Sequence, residues 1–166
     1  VDEKLKTIQA YMVALGIGVQ TWPIFERPPD SSNIGEDEWR VILDNLKKIN
    51  DKKQEVSDRL RSIGILLEKG GIVVTHGTDT LQITALITAL EFSISPLVVP
   101  VVFTCSHSPM GTVGSDGLAN LRKAIFVAKE RFSVKDNLLP SVYVLIGQDV
   151  HLASRLTKVR TMPDSD

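Results

Sequence analysis

The sequence has a single cysteine, Cys105, among its 166 residues. An internal disulfide is therefore impossible, which is compatible with a reducing compartment. Positive and negative side chains also nearly balance, and the formal net charge is −1. This balance favours neither nucleic acid nor an anionic membrane as a direct partner. The densest basic cluster falls on one predicted helix and indicates solvated surface: Lys47, Lys48, Lys52 and Lys53.

No apolar run is long enough to cross a membrane. The most apolar segment, residues 83–103, contains Glu91, Pro96 and Pro100 and divides into a helix and a strand. No signal peptide is visible, although the chain begins at Val1 and not at methionine. We therefore expect no membrane-spanning helix in this segment.

Motifs for metals and nucleotides are missing as well. The three histidines, at positions 76, 107 and 151, do not have the spacing of zinc ligands, and no cysteine cluster accompanies them. Neither Gly-x-Gly-x-x-Gly nor a P-loop occurs. We therefore expect no metal and no cofactor.

The apolar residues alternate between helical and extended patterns after residue 35. Because strands separated by helices are typical of a parallel sheet, we expect an α/β fold whose mostly parallel sheet has helices on both faces. Pro100 either weakens the prediction of its strand or places that strand near an edge of the sheet. The third helix is apolar on nearly every side, which predicts burial. The predicted helices cover residues 36–49, 56–67, 80–92 and 116–131, and the predicted strands cover 72–75, 97–104, 141–146 and a less distinct segment within 11–25. The second helix is expected to stop at Gly70-Gly71, and the fourth to turn Leu118, Leu121, Ile125 and Ala128 inward.

A dense group of polar residues, "THGTDT" at positions 75–80, follows the strand 72–75. Ligands of α/β proteins bind beyond the carboxyl ends of strands, so this is the expected place for a site. Thr78 or Asp79 could simply cap the helix that follows. Alternatively, the hydroxyls, the carboxylate and the helix N-terminus could bind a ligand and stabilise a developing anion. The local pattern leaves both interpretations open.

Three further polar segments carry similar alternatives. In "PPDSSN", positions 28–33, the serines and Asn33 could cap a helix or hold a carboxylate. The long Gly-rich loop at 104–117 has the character of a ligand-binding loop, with Asp116 as the cap of the next helix. Lys158, in "SRLTKVRT", would by itself be an ordinary surface lysine.

Together these segments resemble one family, the two-domain, threonine-dependent L-asparaginases, which includes a component of the glutamyl-tRNA(Gln) amidotransferase. "GGIVVTHGTDT" resembles the second threonine signature, and "DSSNIGEDEW" resembles the substrate-binding serine loop of the cytoplasmic type. "PVVFTCSHSPMGTVGSDGLANL" and "RLTKVRT" are similar to the segments that follow in order. The resemblance implies a cytoplasmic asparaginase N-terminal α/β domain over residues 1–166, incomplete at both ends.

The resemblance also implies a chemistry, the hydrolysis of asparagine to aspartate and ammonia. Thr78 matches the threonine that activates water or the nucleophile, Lys158 matches its lysine partner, and Asp79 matches the carboxylate of the same acid–base unit. Asp79 is further expected to hold the α-ammonium group of L-asparagine.

Three serines match substrate-binding positions of the family. Ser31 matches the residue that holds the α-carboxylate, Ser32 lies beside it, and Ser106 matches a position whose backbone contacts the scissile amide. No metal site is implied. The full-length protein is expected to be a homodimer or homotetramer.

The sequence departs from the family pattern in several places, and these departures determine what activity we expect of the chain. The first threonine signature, Thr-Gly-Gly-Thr-Ile, is absent, and neither Thr7 nor Thr21 has the accompanying glycines. We expect its strand and the second domain to be missing, while Cys105 and His107 replace the usual glycine and glutamine. We expect an asparaginase fragment that is inactive alone. The alternatives are an amidotransferase subunit and a pseudoenzyme that binds asparagine or aspartate without turnover.

Overall fold

The residues that the structure describes form an α/β fold, with four strands in one sheet and three helices. The computed structural model describes residues 17–21, 23–27, 29–63, 70–108, 112–130 and 141–157. The helices are α1 (Glu36–Ser62), α2 (Leu81–Ile94) and α3 (Gly117–Glu130). The strands are β1 (Ile72–Thr75), β2 (Val101–Thr104), β3 (Val142–Ile146) and β4 (Asp149–Leu152), and short 3₁₀ turns occupy Ser31–Asn33 and Ala153–Arg155. Within these residues, no helix combines the length and apolarity needed to span a membrane.

The strands follow one another in the order β1-β2-β3-β4. The pairs β1–β2 and β2–β3 are parallel, with Thr75 beside Thr104 and Thr104 beside Leu145. Strand β4 is antiparallel to β3 and was not predicted; it returns through a tight turn in which Gly147 has φ 60°. The carboxyl ends of β1, β2 and β3 therefore lie at one edge of the sheet.

Both faces of the sheet are covered, which confirms the predicted architecture. One face packs against Leu46 of α1 and Ala85 of α2 through side chains such as Val101. The opposite face packs against Ala124 and Ala128 of α3. Because consecutive residues of a strand point to opposite faces, a strand buried on both sides needs the continuous apolar runs seen here.

Helix α1 is one continuous helix, so the prediction of two helices was wrong. Its 27 residues run through the polar segment that separates the two predicted apolar stripes. Neither glycine nor proline interrupts that segment, and its residues are mostly good helix formers. Asn50 is buried at this point because its side-chain oxygen accepts a hydrogen bond from the amide of Val98 at 3.0 Å. The helix ends at Ser62, and the predicted stop at Gly70-Gly71 depends on residues 64–69, which lie outside the described part.

Helix α2 begins and ends close to its predicted limits, but only one side of it is buried. Leu81, Ala85 and Phe92 join the core. The opposite side keeps a row of apolar side chains exposed, up to 87% for Ile94. The prediction of burial on nearly every side was wrong, because the sheet and α1 cover a single face of this helix. The exposed row consists of Ile83, Leu86, Leu90 and Ile94.

Of the two alternatives predicted for Pro100, an edge strand is wrong. Strand β2 lies between β1 and β3, and it begins only at Val101, so Pro100 precedes the ladder and removes no bond from it. The Pro100 carbonyl accepts a hydrogen bond from the amide of Ile72 at 2.8 Å. Leu97 is nevertheless buried in the preceding loop.

The segment 11–25 was expected to include a strand. Its described residues, 17–21 and 23–25, form no strand, and Ile17 packs against Leu121 and Ile125 of α3. Residues 11–16 lie outside the described part. In α3, Leu118 is 48% exposed, although the helical pattern predicted it to face inward. Asn120 has the buried side chain of that first turn, and it donates a hydrogen bond to the Cys105 carbonyl in the loop after β2.

Candidate functional site

The loop after β1 connects that strand to the first turn of α2. The amide of His76 donates to the Thr104 carbonyl at 2.9 Å, which continues the sheet by one bond before the chain turns. Thr78 is half-buried and Asp79 is exposed in the turn that follows. These two predicted site residues are therefore placed at the carboxyl edge of the sheet by a strand end and a helix start.

Ser31 meets this loop from a distant part of the sequence. Its hydroxyl donates to Oδ2 of Asp79 at 3.1 Å, across 48 positions of the chain. The amide of Asp79 in turn donates to Oγ of Ser31 at 3.4 Å. Oγ1 of Thr80 donates to the main-chain oxygen of Ser31 at 2.6 Å. The structure thus joins two polar segments that local patterns treat separately and that the family resemblance assigns to one substrate.

Gly77 lets the two segments approach each other closely. A Cβ atom at position 77 would lie 2.4 Å from both Cβ and Oγ of Ser31. Real Cβ atoms do not come this close to other atoms, so any side chain at position 77 would displace the serine. The glycine is needed here for space and not for a special backbone angle.

Helix capping does not account for the serine segment. Ser31–Asn33 form a 3₁₀ turn, and the residue that caps α1 is Gly35, whose amide donates to Oε2 of Glu38 at 2.9 Å. The expectation that Ser31, Ser32 or Asn33 serves as the N-cap was therefore wrong. Ser32 is exposed beside Ser31. At the start of α2 the N-cap is Thr80, and its side chain makes no capping bond.

Ser106 lies at the neighbouring strand end. It is half-buried and follows the buried Cys105 immediately after β2. Because β1 and β2 are parallel and in register at Thr75 and Thr104, this loop and the loop after β1 leave the sheet at the same edge. Ser106 is thereby brought to the same edge as Thr78 and Asp79.

Asn120 holds this second loop and was not singled out from the sequence. Its amide group, 2% exposed, donates to the Cys105 carbonyl and to Oδ2 of Asp116, both at 2.9 Å. Oδ1 of Asp116 accepts from the His107 amide at 3.0 Å. Asp116 immediately precedes α3. Its carboxylate holds His107 directly and Cys105 through Asn120, on either side of Ser106. A polar residue four positions after Asp116, on the apolar face of a helix, was the signal available in the sequence.

His76 precedes Gly77 in the loop after β1, and its two ring nitrogens have different surroundings. Nδ1 lies 2.7 Å from the Gly77 carbonyl, which can only accept, so Nδ1 carries the proton of the neutral ring. Nε2 is buried and has no hydrogen-bond partner among the described residues. Burial lowers the pKa of His76 from its usual 6.5, and the bond to Gly77 opposes that shift in part. The ring also meets Phe103 edge-on, with centroids 6.3 Å apart.

Lys158, the third residue predicted to be catalytic, lies outside the described residues. Its role remains a prediction. In the part of the chain that is described, no group of three or more His, Cys, Asp or Glu side chains could hold a metal ion.

A parallel sheet with polar loops gathered at its carboxyl edge places the chain in the class of α/β proteins that bind ligands beyond their strand ends. The family model described as "Asparaginase, N-terminal" matches residues 24–163. The chain therefore belongs to this asparaginase family, which confirms the resemblance.

The known proteins that the chain is similar to are longer than it is. The L-asparaginase of Thermococcus kodakarensis is 39% identical over 95 residues, which cover 57% of this chain and 26% of that protein. A glutamyl-tRNA(Gln) amidotransferase subunit of Saccharolobus solfataricus is 30% identical over 135 residues, or 81% of this chain and 26% of that protein. The chain thus spans about a quarter of the length of the curated relatives it matches.

The fold is shared with solved asparaginase structures. A probable cytoplasmic L-asparaginase from Campylobacter jejuni superposes with a TM-score of 0.67 at 24% identity. The superposition covers 98% of this chain and 43% of that one. At this level of identity the likeness supports the fold alone.

Proposed function

We propose that this chain is part of an L-asparagine amidohydrolase, which converts asparagine and water to aspartate and ammonia. The observation that carries the proposal is the direct contact of Ser31 with Asp79 at the carboxyl edge of the sheet. An amino acid presents an α-carboxylate and an α-ammonium group on one carbon. A hydroxyl next to a carboxylate is a matching pair of groups for such a molecule. The single hydroxyl proton of Ser31 is directed at Asp79 in the structure and would turn to the substrate carboxylate when the ammonium binds Asp79.

In this proposal, the side-chain amide is cleaved by residues beside that pair. Thr78 activates the attacking group, assisted by Lys158 and by the carboxylate of Asp79, and the C–N bond breaks as a proton reaches the leaving ammonia. Main-chain groups around Ser106 contact the amide, and Ser32 supports Ser31. The N-terminus of α2 would favour the negative charge that develops on the amide oxygen.

The rest of the proposal follows from family membership. We place the protein in the cytoplasm, on the form of its "DSSN" loop, and we expect the whole protein to be a homodimer or homotetramer in which residues 1–166 belong to the N-terminal domain. The chain has no Thr-Gly-Gly-Thr-Ile segment, and we therefore expect little hydrolysis by these 166 residues alone.

The test is ammonia release from L-asparagine, measured on the 166-residue chain and on the full product of its gene. We expect activity in the full product and a loss of at least about a hundredfold in Thr78→Ala and Lys158→Met, since each removes an acid–base group. Lys48→Met, which changes an exposed lysine of α1, serves as the control. Activity of the short chain itself would contradict our assignment of a missing nucleophile.

A second candidate is an amidotransferase subunit, favoured by the 81% of the chain that aligns with the Saccharolobus solfataricus protein. Such a protein would release ammonia for a partner enzyme that acts on glutamyl-tRNA(Gln). Stimulation of hydrolysis by the charged tRNA and the partner enzyme, with little activity on free asparagine, would favour this candidate. Aspartate binding without any hydrolysis would favour the pseudoenzyme.

A further inference from the structure

The hydroxyl of Thr80 makes a long-range hydrogen bond in place of the capping bond that is usual at its position. A threonine at an N-cap ordinarily accepts a hydrogen bond from an amide of its own helix, typically at the second or third position. Thr80 occupies the N-cap of α2 without making that bond. Its part-buried hydroxyl instead donates to the main-chain oxygen of Ser31 at 2.6 Å. The first turn of α2 thus lacks the capping bond from Thr80, and the Thr80 hydroxyl bonds Ser31 instead.

The 3₁₀ turn that contains Ser31 has one short bond of its own, from the Asn33 amide to the Asp30 carbonyl at 2.9 Å. The Ser31 carbonyl itself is held less closely within the turn. Inside its 3₁₀ turn, the amide of Ile34 reaches the Ser31 carbonyl only at 3.4 Å, which is near the limit for a hydrogen bond. The bond from Thr80 to the same oxygen is much shorter. The side chain of Ser31 is held by the same loop, because its hydroxyl is bonded to both the carboxylate and the amide of Asp79. Ser31 is therefore restrained from both its main chain and its side chain by the loop after β1.

We infer that Thr80 is a positioning residue that fixes Ser31 through its carbonyl, so that the Ser31 hydroxyl and the Asp79 carboxylate present one rigid binding surface for the head group of an amino acid. This inference rests on the proposed function for the identity of the ligand. Thr80 acts through Ser31 and needs no contact with the reacting atoms. Its removal should weaken substrate binding equally in the ground state and the transition state, which raises KM and leaves kcat unchanged.

The variants Thr80→Val and Thr80→Ser test the inference in the full product of the gene. Valine has nearly the same shape but cannot donate, whereas serine keeps the hydroxyl. We expect Thr80→Val to raise KM for L-asparagine roughly three- to tenfold with kcat within about twofold, and Thr80→Ser to restore KM. Thr88→Val is the matched control, because Thr88 lies about 12 Å further along α2 and its hydroxyl donates to the Thr84 carbonyl of the same helix.

A double-mutant cycle with Ser31→Ala shows whether Thr80 acts through Ser31. We expect Thr80→Val to have little further effect on KM once the Ser31 hydroxyl is gone. Equal effects of Thr80→Val in both backgrounds, or an unchanged KM in the single variant, would overturn the inference. A fall in kcat with KM unaltered would also overturn it.

Hydrogen exchange separates failure of this inference from failure of the proposed function. Amides of residues 31–35 should exchange faster in Thr80→Val than in Thr80→Ser or Thr88→Val, whatever the protein catalyses. If the wild-type protein neither hydrolyses asparagine nor binds aspartate, the proposed function is wrong, and the exchange result still decides whether Thr80 holds Ser31. Unchanged exchange in Thr80→Val would mean that it does not.

Discussion

Ser31 and Asp79 show what a single polar residue can and cannot reveal. Each belongs to a residue type that commonly caps helices, and each precedes a helix in the sequence. Their hydrogen bond across 48 positions gives them a shared use that capping does not explain. The residue types could be chosen as candidates from the sequence, whereas their pairing depends on where the chain returns.

Gly77→Ala should disturb this pairing directly. The new Cβ would lie 2.4 Å from Ser31, so the serine must move away from Asp79. We expect a loss of about 1–3 kcal/mol in the free energy of unfolding, as for other overpacked contacts, together with a raised KM in the active form of the protein. Urea denaturation and steady-state kinetics measure the two effects.

Gly18→Ala provides the comparison for Gly77→Ala. A Cβ at position 18 meets nothing within 4 Å, and its φ is not in the left-handed region, so the substitution should change the free energy of unfolding by less than about 0.5 kcal/mol. Equal effects of the two substitutions would show that the contact with Ser31 is not what matters.

Among the elements, α1 shows why local pattern misplaces boundaries. Two apolar stripes separated by a polar segment read as two helices, yet propensity alone gives no reason for a break there. Asn50 has a polar side chain that looks unsuited to the core. It is buried because the loop before β2 supplies the amide of Val98 as its partner, and no local rule predicts a partner so far along the chain.

The junction between β1 and α3 depends on Gly71. A Cβ at this position would lie 2.8 Å from both Cβ of Ala128 and Cγ of Pro100, and 2.9 Å from the Ala128 carbonyl. We expect Gly71→Ala to lower the free energy of unfolding by about 1–3 kcal/mol, because strand and helix would have to separate. Chemical denaturation of the purified chain measures this cost.

The adjacent glycine is a closely matched control. A Cβ at Gly70 meets nothing within 4 Å, and we expect Gly70→Ala to be neutral or slightly stabilising, since it restricts the unfolded chain. If Gly71→Ala were as well tolerated as Gly70→Ala, the close packing of β1 against α3 would not be needed for stability.

For the molecule as a whole, the pH dependence of stability should depend on His76. Burial lowers its pKa in the folded state, while the unfolded chain keeps a value near 6.5. Above pH 6.5 the ring is neutral in both states and this contribution to stability is complete. As the pH falls below 6.5, only the unfolded state gains the proton, so the free energy of unfolding decreases, by at most about 1.4 kcal/mol per pH unit for one proton.

The measurement is urea denaturation between pH 5 and pH 8. In His76→Gln, whose amide can still donate to Gly77, we expect a smaller loss of stability on acidification than in the wild type. His151→Gln replaces an exposed histidine of β4 and serves as the control. A wild-type slope retained in His76→Gln would mean that other groups cause the acid sensitivity.

The sequence by itself determined the class of fold, because periodicity and the positions of glycine and proline depend only on near neighbours. The helix at 81–94, the strand at 72–75 and the polar loop after it could all be predicted in this way. Strand β4 and the exposed row on α2 could not, since each depends on which surfaces the folded chain brings together. The same holds for the site: Ser31, Thr78 and Asp79 were identifiable as residue types, but their arrangement was not. Only the tertiary structure brought Ser31 against Gly77, Asp79 and Thr80, because contacts between distant segments are set by how strands and helices pack and not by local sequence.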